Sequence, residues 1–513
     1  MNFDNQLKQF FLFVGLCLVF SLNISCKNNN ETPVSKDSII ILYIGDERIF
    51  FQDYWGMGAT YWIFLPLVTN VGNETGEMQP VLAENWTPSN DYREWTVNLR
   101  KDIYWHDGVQ MTAHDIKFTI DLREKVSGIR SSECEIIDDF TFKLKSNKPM
   151  SNLPTWRVYY PKHLLEKLDP DDFYNWDFWT HPIGNGPYKF VRNVPKTMVE
   201  VEVNPNYFRN KPKIKKAILK FTTNISLTEL LGGNVDAITF VPRDFLFKID
   251  DDQRYKSYYW WHNQIETIFW NHNNPLFSEP KVRKALTMAI NRNELASVLN
   301  YPDDVPIYDV LYSDRQRLRG DIAKPLEYNP DQAIQLLNEY GWIDTNGDGI
   351  LDRDGVDFKF TLTNSIETIN THKLMPTYIQ DNLRKIGVIM EIKTVEHNIV
   401  KQLFKKKEFD AILSLLYNEE NELHLIREYL GDNSYLGYSN PVLNNLFDQM
   451  DATGDKNKID SLYKETFSIF ENDMPVTFIL PLVQTHIVNK NIKGLQNKVK
   501  PDPVWFLESL WIE

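Results

Sequence analysis

The segment best suited to chemistry is residues 409–423, FDAILSLLYNEENEL, where an apolar run ends in three closely spaced glutamates. Glu419, Glu420 and Glu422 offer carboxylates that pair with an ammonium group or another cationic solute. Such a pair is stronger in a dry cleft than at a surface, although it must also offset desolvation. Three solvated glutamates on a loop are an equally good interpretation, because exposed ion pairs contribute little stability.

A second acidic segment, residues 344–352 (DTNGDGILD), has the oxygen-bearing side chains of a calcium-binding loop. The residues at loop offsets one, three, five and nine are Asp344, Asn346, Asp348 and Asp352. Gly355 stands at offset twelve, where such loops place a bidentate glutamate. We therefore predict a structural turn here, with a calcium site as the alternative, and no metal site elsewhere in the chain.

No segment carries the spacing of a known enzyme site. The chain has no His-Glu-x-x-His, no Gly-x-Ser-x-Gly and no Cys-x-x-Cys, and its 10 histidines are scattered without metal-ligand spacing. Paired carboxylates recur because the chain is acidic, and their proximity in sequence does not define a catalytic gap. We predict a protein that is not an enzyme, with no catalytic residues and no cofactor.

Composition describes a large globular protein. A chain of 513 residues is too long for one ordinary core, and 42% hydrophobic and 25% charged residues are typical of a soluble fold. The net charge of −14 argues against nucleic acid as a partner. The 14 tryptophans would suit a pocket that stacks on flat or sugar-like ligands. Of the three cysteines, Cys134 is the one outside the N-terminal segment, so no intrachain disulfide is expected.

The N-terminal segment has the pattern of an export signal. Its apolar run, residues 10–22, follows Lys8 and is shorter than the roughly 20 residues that a membrane span needs. The residues around Cys26 resemble a lipoprotein cleavage box, because a small residue precedes the cysteine and a polar tract follows it. We predict a signal peptide at 1–25, lipid attachment at Cys26 and a flexible tether at 26–38, with a plain secretory signal as the alternative.

The elements that must position these groups are clearest in residues 82–122. Residues 95–99 alternate apolar and polar side chains, which predicts a half-buried strand. His-Asp-Gly at 106–108 then supplies turn chemistry. Thr112 and Asp115 stand at capping-box spacing, so a helix is predicted to begin here.

This stretch resembles the signature of the family 5 solute-binding proteins of bacterial ABC importers, the oligopeptide-, dipeptide- and nickel-binding type. The positions that carry the resemblance are Leu82, Ala83, Trp86, Leu99, Arg100, His106, Asp107, Gly108, Thr112, Ala113, Asp115 and Ile116. Further similarities lie in residues 184–190 (GNGPYKF), 285–295 (ALTMAINRNEL) and 341–342 (GW). Within the signature, His106 and Asp107 are expected to hold a turn rather than perform chemistry.

The resemblance implies an α/β fold, namely the two-lobed periplasmic-binding-protein fold with mixed sheets. The first lobe would be discontinuous, made of residues 39–270 and a return segment at 479–513, and the second lobe would be inserted at 271–478. The crossing strand would lie near 267–271, with the return near 476–487. Such a protein captures a solute when the lobes close around it.

The resemblance also implies where a ligand binds. In peptide-binding members a carboxylate after the strand that begins at Phe409-Asp410 binds the α-ammonium of the ligand, and Glu419 falls closest to that position. This chain departs from the pattern, because Leu416 replaces a tryptophan and the usual Asp-Pro pair is missing. The ligand-binding residues expected on this basis are Asp46, Trp55, Trp270, Tyr417, Glu419 and Asn421.

The predicted function is capture of a small solute, with a short peptide favoured, and its delivery to an ABC permease and ATPase. The protein would be a monomer in the periplasm, held to a bacterial cell membrane by its lipid. An oligosaccharide, or a cation or chelate, stays open as the ligand. A sensory lipoprotein of the same fold and an exported hydrolase stay open as other classes of protein.

Overall fold

The computed structural model describes residues 37–44, 60–69, 78–127, 132–151, 153, 158–222, 227–239, 241, 246, 249, 252–311, 324–366, 374–417, 423–495 and 509–513. The predictions for the signal peptide, for Cys26 and for most of the tether lie outside these residues. Across the described ranges, no helix combines the length and the apolar character needed to cross a membrane.

The strands are β1 Ser38–Ile44, β2 Val68–Thr69, β3 Gln79–Pro80, β4 Ala83–Pro88, β5 Glu94–Leu99, β6 Glu133–Asp138, β7 Thr141–Lys145, β8 Tyr188–Val194, β9 Met198–Val203, β10 Lys216–Thr222, β11 Ala237–Thr239, β12 Tyr255–Trp270, β13 Asp352–Arg353, β14 Val356–Asp357, β15 Lys359–Ser365, β16 Ile389–Val395, β17 Ala411–Tyr417, β18 Val476–Asn489, β19 Ile492–Lys493 and β20 Trp511–Ile512. The helices are α1 Thr60–Ile63, α2 Ala113–Ser127, α3 Lys162–Leu165, α4 Thr228–Leu231, α5 Pro280–Met288, α6 Arg292–Val298, α7 Pro330–Glu339, α8 Met375–Arg384, α9 His397–Lys406, α10 Leu423–Leu430, α11 Pro441–Asp451 and α12 Lys456–Asp473. Two 3₁₀ helices cover Pro170–Asn175 and Asp177–Thr180.

Ten of the described strands form one mixed sheet in the order β16-β15-β17-β12-β18-β11-β1-β10-β9-β8. On one side β1 runs parallel to β10 and β11, and on the other side β15 runs parallel to β16 and β17. The two longest strands, β12 and β18, are antiparallel neighbours at the centre. The predicted α/β class with mixed sheets is confirmed.

The apolar side chains form separate cores on the two halves of this sheet. One core gathers residues from β1 to Tyr258 and is completed by Val488, Ile492 and Leu510 near the C-terminus. Two further clusters cover the opposite faces of the half that contains β15 and β17. We call the half with β1, β8–β11 and the elements packed on it lobe I, and the half with β15–β17 lobe II. The lobe limits of 39–270, 271–478 and 479–513 stay a prediction.

The signature stretch folds as its pattern predicts. Trp95, Val97 and Leu99 are buried on β5, which belongs to a separate four-stranded sheet in the order β4-β5-β7-β6. At the start of α2, the Thr112 N–H donates to the Asp115 carboxylate at 2.9 Å, and the Thr112 hydroxyl accepts from the His114 N–H at 3.3 Å. These reciprocal bonds are the predicted capping box.

Other sequence predictions match in type and differ in extent. The pattern predicts helices near 333–340 and 375–386, which correspond to α7 and α8. The strands predicted at 358–362 and 388–392 are β15 and β16, and both continue further toward their carboxyl ends. The crossing strand predicted over 267–271 is the end of β12, which has 16 residues.

Candidate ligand site

The strand directions bring the carboxyl ends of both lobes to one place. Because β18 is antiparallel to β11, the carboxyl ends of β1, β10 and β11 point toward the middle of β18. Because β17 is antiparallel to β12, and β12 to β18, the carboxyl ends of β15, β16 and β17 point there from the other side. Ligands of open α/β sheets bind outside the carboxyl ends of the strands. By this rule, the topology predicts a ligand crevice over the β12–β18 pair.

The β12–β18 pair is irregular at this point. Trp261 pairs with Val483, and the next pair is Ile265 with Pro481, so three residues of β12 stand opposite one residue of β18. A second register shift follows immediately after Glu266. Pro481 also has no N–H to donate to the ladder. We call residues 261–267 and 478–483 the crossing, because the two halves of the sheet join here through an interrupted ladder.

Two loops begin on either side of the crossing. Across neighbouring strands, Leu42 pairs with Ile238, which pairs with Ile487 of β18. On the other side, Leu416 pairs with Ile265, which pairs with Pro481 of β18. From these positions β1 and β17 continue toward each other for one or two residues, so their ends are roughly 10 Å apart along the strand direction, at 3.3 Å per residue, and roughly 19 Å apart across the four strand spacings between them. The first loop, 45–59, contains Asp46 and Trp55, and the second, 418–422, contains Glu419 and Asn421.

These four predicted site residues lie outside the described residues, as does the side chain of Tyr417. The described backbone of Tyr417 pairs with Gln264, next to the crossing. The topology therefore directs the ends of β1 and β17 toward the crossing, whereas the positions and contacts of the four residues stay a prediction.

A backbone clamp fixes the far end of the first loop, where α1 begins. The N–H groups of Asn185 and Gly186 both donate to the Ile63 carbonyl, at 3.0 and 2.8 Å. The Asn185 side-chain oxygen accepts from the Leu65 N–H at 2.9 Å. A Cβ at Gly184 would lie 2.0 Å from the Ile63 carbonyl oxygen, so glycine is required for this approach. The Gly-Asn-Gly-Pro-Tyr motif is thus a structural clamp.

His106 holds the same clamp from its other side. Its Nδ1 accepts from the Gly184 N–H at 3.2 Å, and its Nε2 donates to the Gly186 carbonyl at 3.1 Å. This arrangement needs the neutral imidazole, and burial lowers the pKa of His106 to about 4. Asp107 accepts from the Val109 N–H at 3.2 Å and is 2.8 Å from Nε2 of His163. The prediction that His106 and Asp107 hold a turn is confirmed.

The strand that leads to the second loop, β17, is fixed at its start by Asp410. The Asp410 carboxylate accepts from the Thr361 N–H at 2.9 Å and from the Asn274 side-chain amide at 2.8 Å. Leu416, near the end of the strand, is fully buried in a cluster with Ile265. The residue at the position of the expected tryptophan therefore packs in the core of lobe II.

Trp270 lies far from the loops, at the opposite end of β12. Its side chain is fully buried, its indole N–H donates to the Thr477 hydroxyl at 3.0 Å, and its ring packs on Phe277 with a centroid separation of 4.8 Å. Alternation along β12 turns this residue toward the apolar core of lobe II, so the structure does not bring it to the crevice.

Glu266 is a residue at the crossing that the sequence reasoning missed. Its side chain is fully buried, and burial raises the pKa of Glu266 to about 8. Near neutral pH this carboxyl group is therefore protonated and carries a hydrogen to donate. The only signal in the sequence is a single acidic residue inside the run QIETIFW, a pattern that also suits a surface strand.

The described residues contain no group of three His, Cys, Asp or Glu side chains placed to hold a metal ion. In the calcium-like loop, the Asp344 carboxylate accepts from the N–H groups of Gly347 and Gly349, at 2.7 and 2.9 Å. The Asp352 carboxylate accepts from the N–H and hydroxyl of Thr345, at 2.9 and 2.8 Å. Both carboxylates thus serve the turn itself, as in other Asx turns.

Comparison with known proteins gives a consistent set of similarities. The family described as "Bacterial extracellular solute-binding proteins, family 5 Middle" matches residues 77–423. A relative, the oligopeptide-binding protein AppA of Bacillus subtilis (strain 168), is 27% identical over 529 aligned positions, which cover 96% of this chain and 94% of that protein.

Two solved structures share the fold. The oligopeptide-binding protein AppA from Bacillus subtilis in complex with a nonapeptide has a TM-score of 0.69 at 24% identity, covering 93% of this chain and 99% of that chain. NikA from Brucella suis in complex with Fe(III)-EDTA has a TM-score of 0.80 at 19% identity, covering 93% of this chain and 100% of that chain.

Proposed function

The chain belongs to the bacterial extracellular solute-binding proteins of family 5, and from this premise we propose that it binds a short peptide between its two lobes. The fold is two-lobed, like the periplasmic binding proteins that it resembles. The observation that carries the proposal is that the carboxyl ends of β1 and β17, one from each lobe, both point toward the crossing. The bound peptide would be passed to the permease and ATPase of an ABC importer.

In this proposal the peptide lies across the crossing with its amino end near Glu419. A carboxylate in the crevice pairs with the α-ammonium group by a charge-assisted hydrogen bond. Backbone hydrogen bonds hold the rest of the peptide, which gives affinity with little preference for side chains. Closure of lobe II on lobe I buries the peptide, and the crossing is where the chain would bend. A relative described as an oligopeptide-binding protein, similar over 96% of this chain, supports this choice.

A cationic solute or metal chelate is the second candidate. The observation in its favour is that Leu416 fills core space where peptide-binding members carry a tryptophan. A structural neighbour with a TM-score of 0.80 was solved with Fe(III)-EDTA. A chelate of net positive charge would meet the same acidic segment, residues 418–422.

We propose that the protein acts in the periplasm as a monomer attached to the membrane by lipid at Cys26. The support is the sequence pattern before Cys26 and the family description as extracellular. Lobe limits near 39–270, 271–478 and 479–513 belong to the same proposal. Its activity is binding, and no catalytic step is assigned to any residue.

The test is a thermal-shift panel of free peptides, amino-acetylated peptides, metal chelates and oligosaccharides. A ligand at one hundred times its dissociation constant stabilises the fold by about 2.7 kcal/mol, which is readily measured. Free peptides are expected to stabilise, and Glu419→Gln should abolish the difference between free and acetylated peptides. Glu420→Gln serves as the matched control.

Two outcomes contradict parts of the proposal. If acetylated and free peptides stabilise the native protein equally, Glu419 does not bind an amine. If chelates or oligosaccharides alone stabilise, the ligand is not a peptide.

A further inference from the structure

A direct contact joins the two lobes away from the crossing. Tyr92 lies in the turn between β4 and β5 in lobe I, and Gly454 lies between α11 and α12 in lobe II. A Cβ built on Gly454 would be 2.3 Å from Tyr92 Cγ and 2.5 Å from its Cδ1. The tyrosine side chain is therefore packed directly against the glycine backbone, and Gly454 is buried although it belongs to a short interhelical loop.

The backbone on the lobe I side is held firmly. Tyr92 has a φ of 57°, in the left-handed region that residues other than glycine and asparagine rarely adopt. Its N–H donates to the Ser89 carbonyl at 3.0 Å, and its carbonyl accepts from the Met150 N–H at 2.8 Å. The ring packs on Trp95 with a centroid separation of 6.5 Å. An unfavourable backbone conformation that persists in this way is a recognised mark of a functional position.

The lobe II side is equally well defined. Asp455 caps α12 by accepting from the N–H groups of Asn457 and Lys458, at 2.9 and 3.3 Å. Its own N–H donates to the Thr453 hydroxyl at 3.2 Å. The φ of Gly454 is not positive, so an alanine could adopt the same backbone conformation. An alanine here would instead clash with its neighbour, because its methyl group would overlap the Tyr92 ring.

We propose that Tyr92 and Gly454 form a latch that favours the closed arrangement of the lobes. The inference rests on the proposed function, in which the lobes open and close about the crossing. Opening would lift the ring from the glycine and return both surfaces to water, so the contact stabilises only the closed state. A contact present in one of two states shifts their populations by its own free energy, without touching the ligand.

The latch makes two substitutions informative. Gly454→Ala places a methyl group against the ring in the closed state and leaves the open state undisturbed. Overpacking of this kind lowers the closed-to-open ratio by about tenfold, the equivalent of ~1.4 kcal/mol. Tyr92→Gly removes the ring and also relieves the left-handed backbone, so the hairpin keeps its fold. Gly454→Ala should then have no further effect in the Tyr92→Gly protein.

The experiment measures interlobe distances by double electron–electron resonance on the exported chain with Cys26→Ser. Spin labels are attached at Lys148→Cys in lobe I and Ser461→Cys in lobe II, both exposed positions. Ala452→Ser, which adds one atom at an exposed site of the same loop, is the matched control. Each protein is measured as purified, after removal of bound solute by unfolding and refolding, and after addition of a mixed peptide pool.

We expect a short-distance population that Gly454→Ala depletes about tenfold and the control leaves unchanged. The latch is overturned if Gly454→Ala has the wild-type distribution, if it acts equally in the Tyr92→Gly protein, or if wild type lacks the short distance in all three conditions. If peptides close wild type and Gly454→Ala alike, the proposed function stands and the latch fails. If peptides change no distance while Gly454→Ala opens the lobes, the latch stands and peptide binding fails.

Discussion

Replacing His106 with phenylalanine should weaken the fold of lobe I and remove part of its sensitivity to acid. The Gly184 N–H would lose its partner inside the core, which costs about 1–3 kcal/mol. The Gly186 carbonyl would keep the Asn204 amide at 3.0 Å, so its loss is smaller, about 0.5–1.5 kcal/mol. Near neutral pH the free energy of unfolding should therefore fall by roughly 1.5–4.5 kcal/mol.

The pH dependence follows from the neutral ring. Burial lowers the pKa of His106 from 6.5 to about 4 in the folded protein. The neutral ring therefore stabilises the fold fully above pH 6.5, and this contribution is lost as the pH falls through that value toward about 4. Between about pH 7 and pH 5, this one histidine removes about 2 kcal/mol of stability, since each pKa unit is worth 1.36 kcal/mol.

The assay is urea unfolding of wild type, His106→Phe and the exposed-site control His114→Phe at several pH values. The difference in unfolding free energy between wild type and His106→Phe should shrink by about 2 kcal/mol from pH 7 to pH 5. The His114→Phe control should not show this convergence. A difference that stays constant with pH would refute the neutral, buried imidazole as the origin of the clamp.

Three further outcomes are expected. Cys26→Ala should release the protein from membranes into the soluble periplasmic fraction, and unchanged membrane partitioning would count against lipid attachment. Calorimetry with calcium should show no binding tighter than about millimolar, whereas a micromolar isotherm lost on Asp344→Ala would make the loop a metal site. Asp309→Asn should lower the urea-derived unfolding free energy by about 3–5 kcal/mol, because it breaks a buried pair with Arg292 whose N–O distances are 2.6 and 2.9 Å. A loss below about 1 kcal/mol would show that the three carbonyls bonded to Arg292 suffice.

The sequence predicts the local elements where chemistry and pattern agree. The capping box at Thr112 and Asp115 and the alternation along β5 depend on neighbouring residues, so both could be predicted. The glycines of the Gly184–Gly186 turn signal a close approach, although the partner, Ile63, is not visible in the sequence. Likewise, the buried role of His106 follows only once the clamp is assembled.

Features that depend on contacts between residues far apart in the sequence cannot be predicted from local patterns. In the sequence, Glu266 looks like an ordinary charged residue. It becomes buried only when strands pair on both sides of β12, and this burial raises its pKa. Tryptophan is a residue type that suits a ligand site, but the position of Trp270 on β12 directs its side chain toward the core of lobe II. The contact of Tyr92 with Gly454 joins residues that no local pattern connects. The ligand-binding roles predicted for Asp46, Trp55, Glu419 and Asn421 rest on the family resemblance alone.

The position of β18 has a consequence for how the chain acquires its structure. Val488 pairs with Ala237 and lies in the core that begins at Ile39, so residues from opposite ends of the chain complete one hydrophobic interior. During synthesis and export, the N-terminal half emerges long before β18 does, so β11 has β1 as a neighbour on one edge and no partner on the other. Contacts of such sequence separation form slowly, and exposed strand edges invite misassembly meanwhile. Lobe II also takes Ile479 and Leu480 of β18 into its core, but β18 follows β15–β17 much more closely in sequence than it follows β1. The second half of the protein is therefore expected to complete its fold sooner after synthesis than the first half.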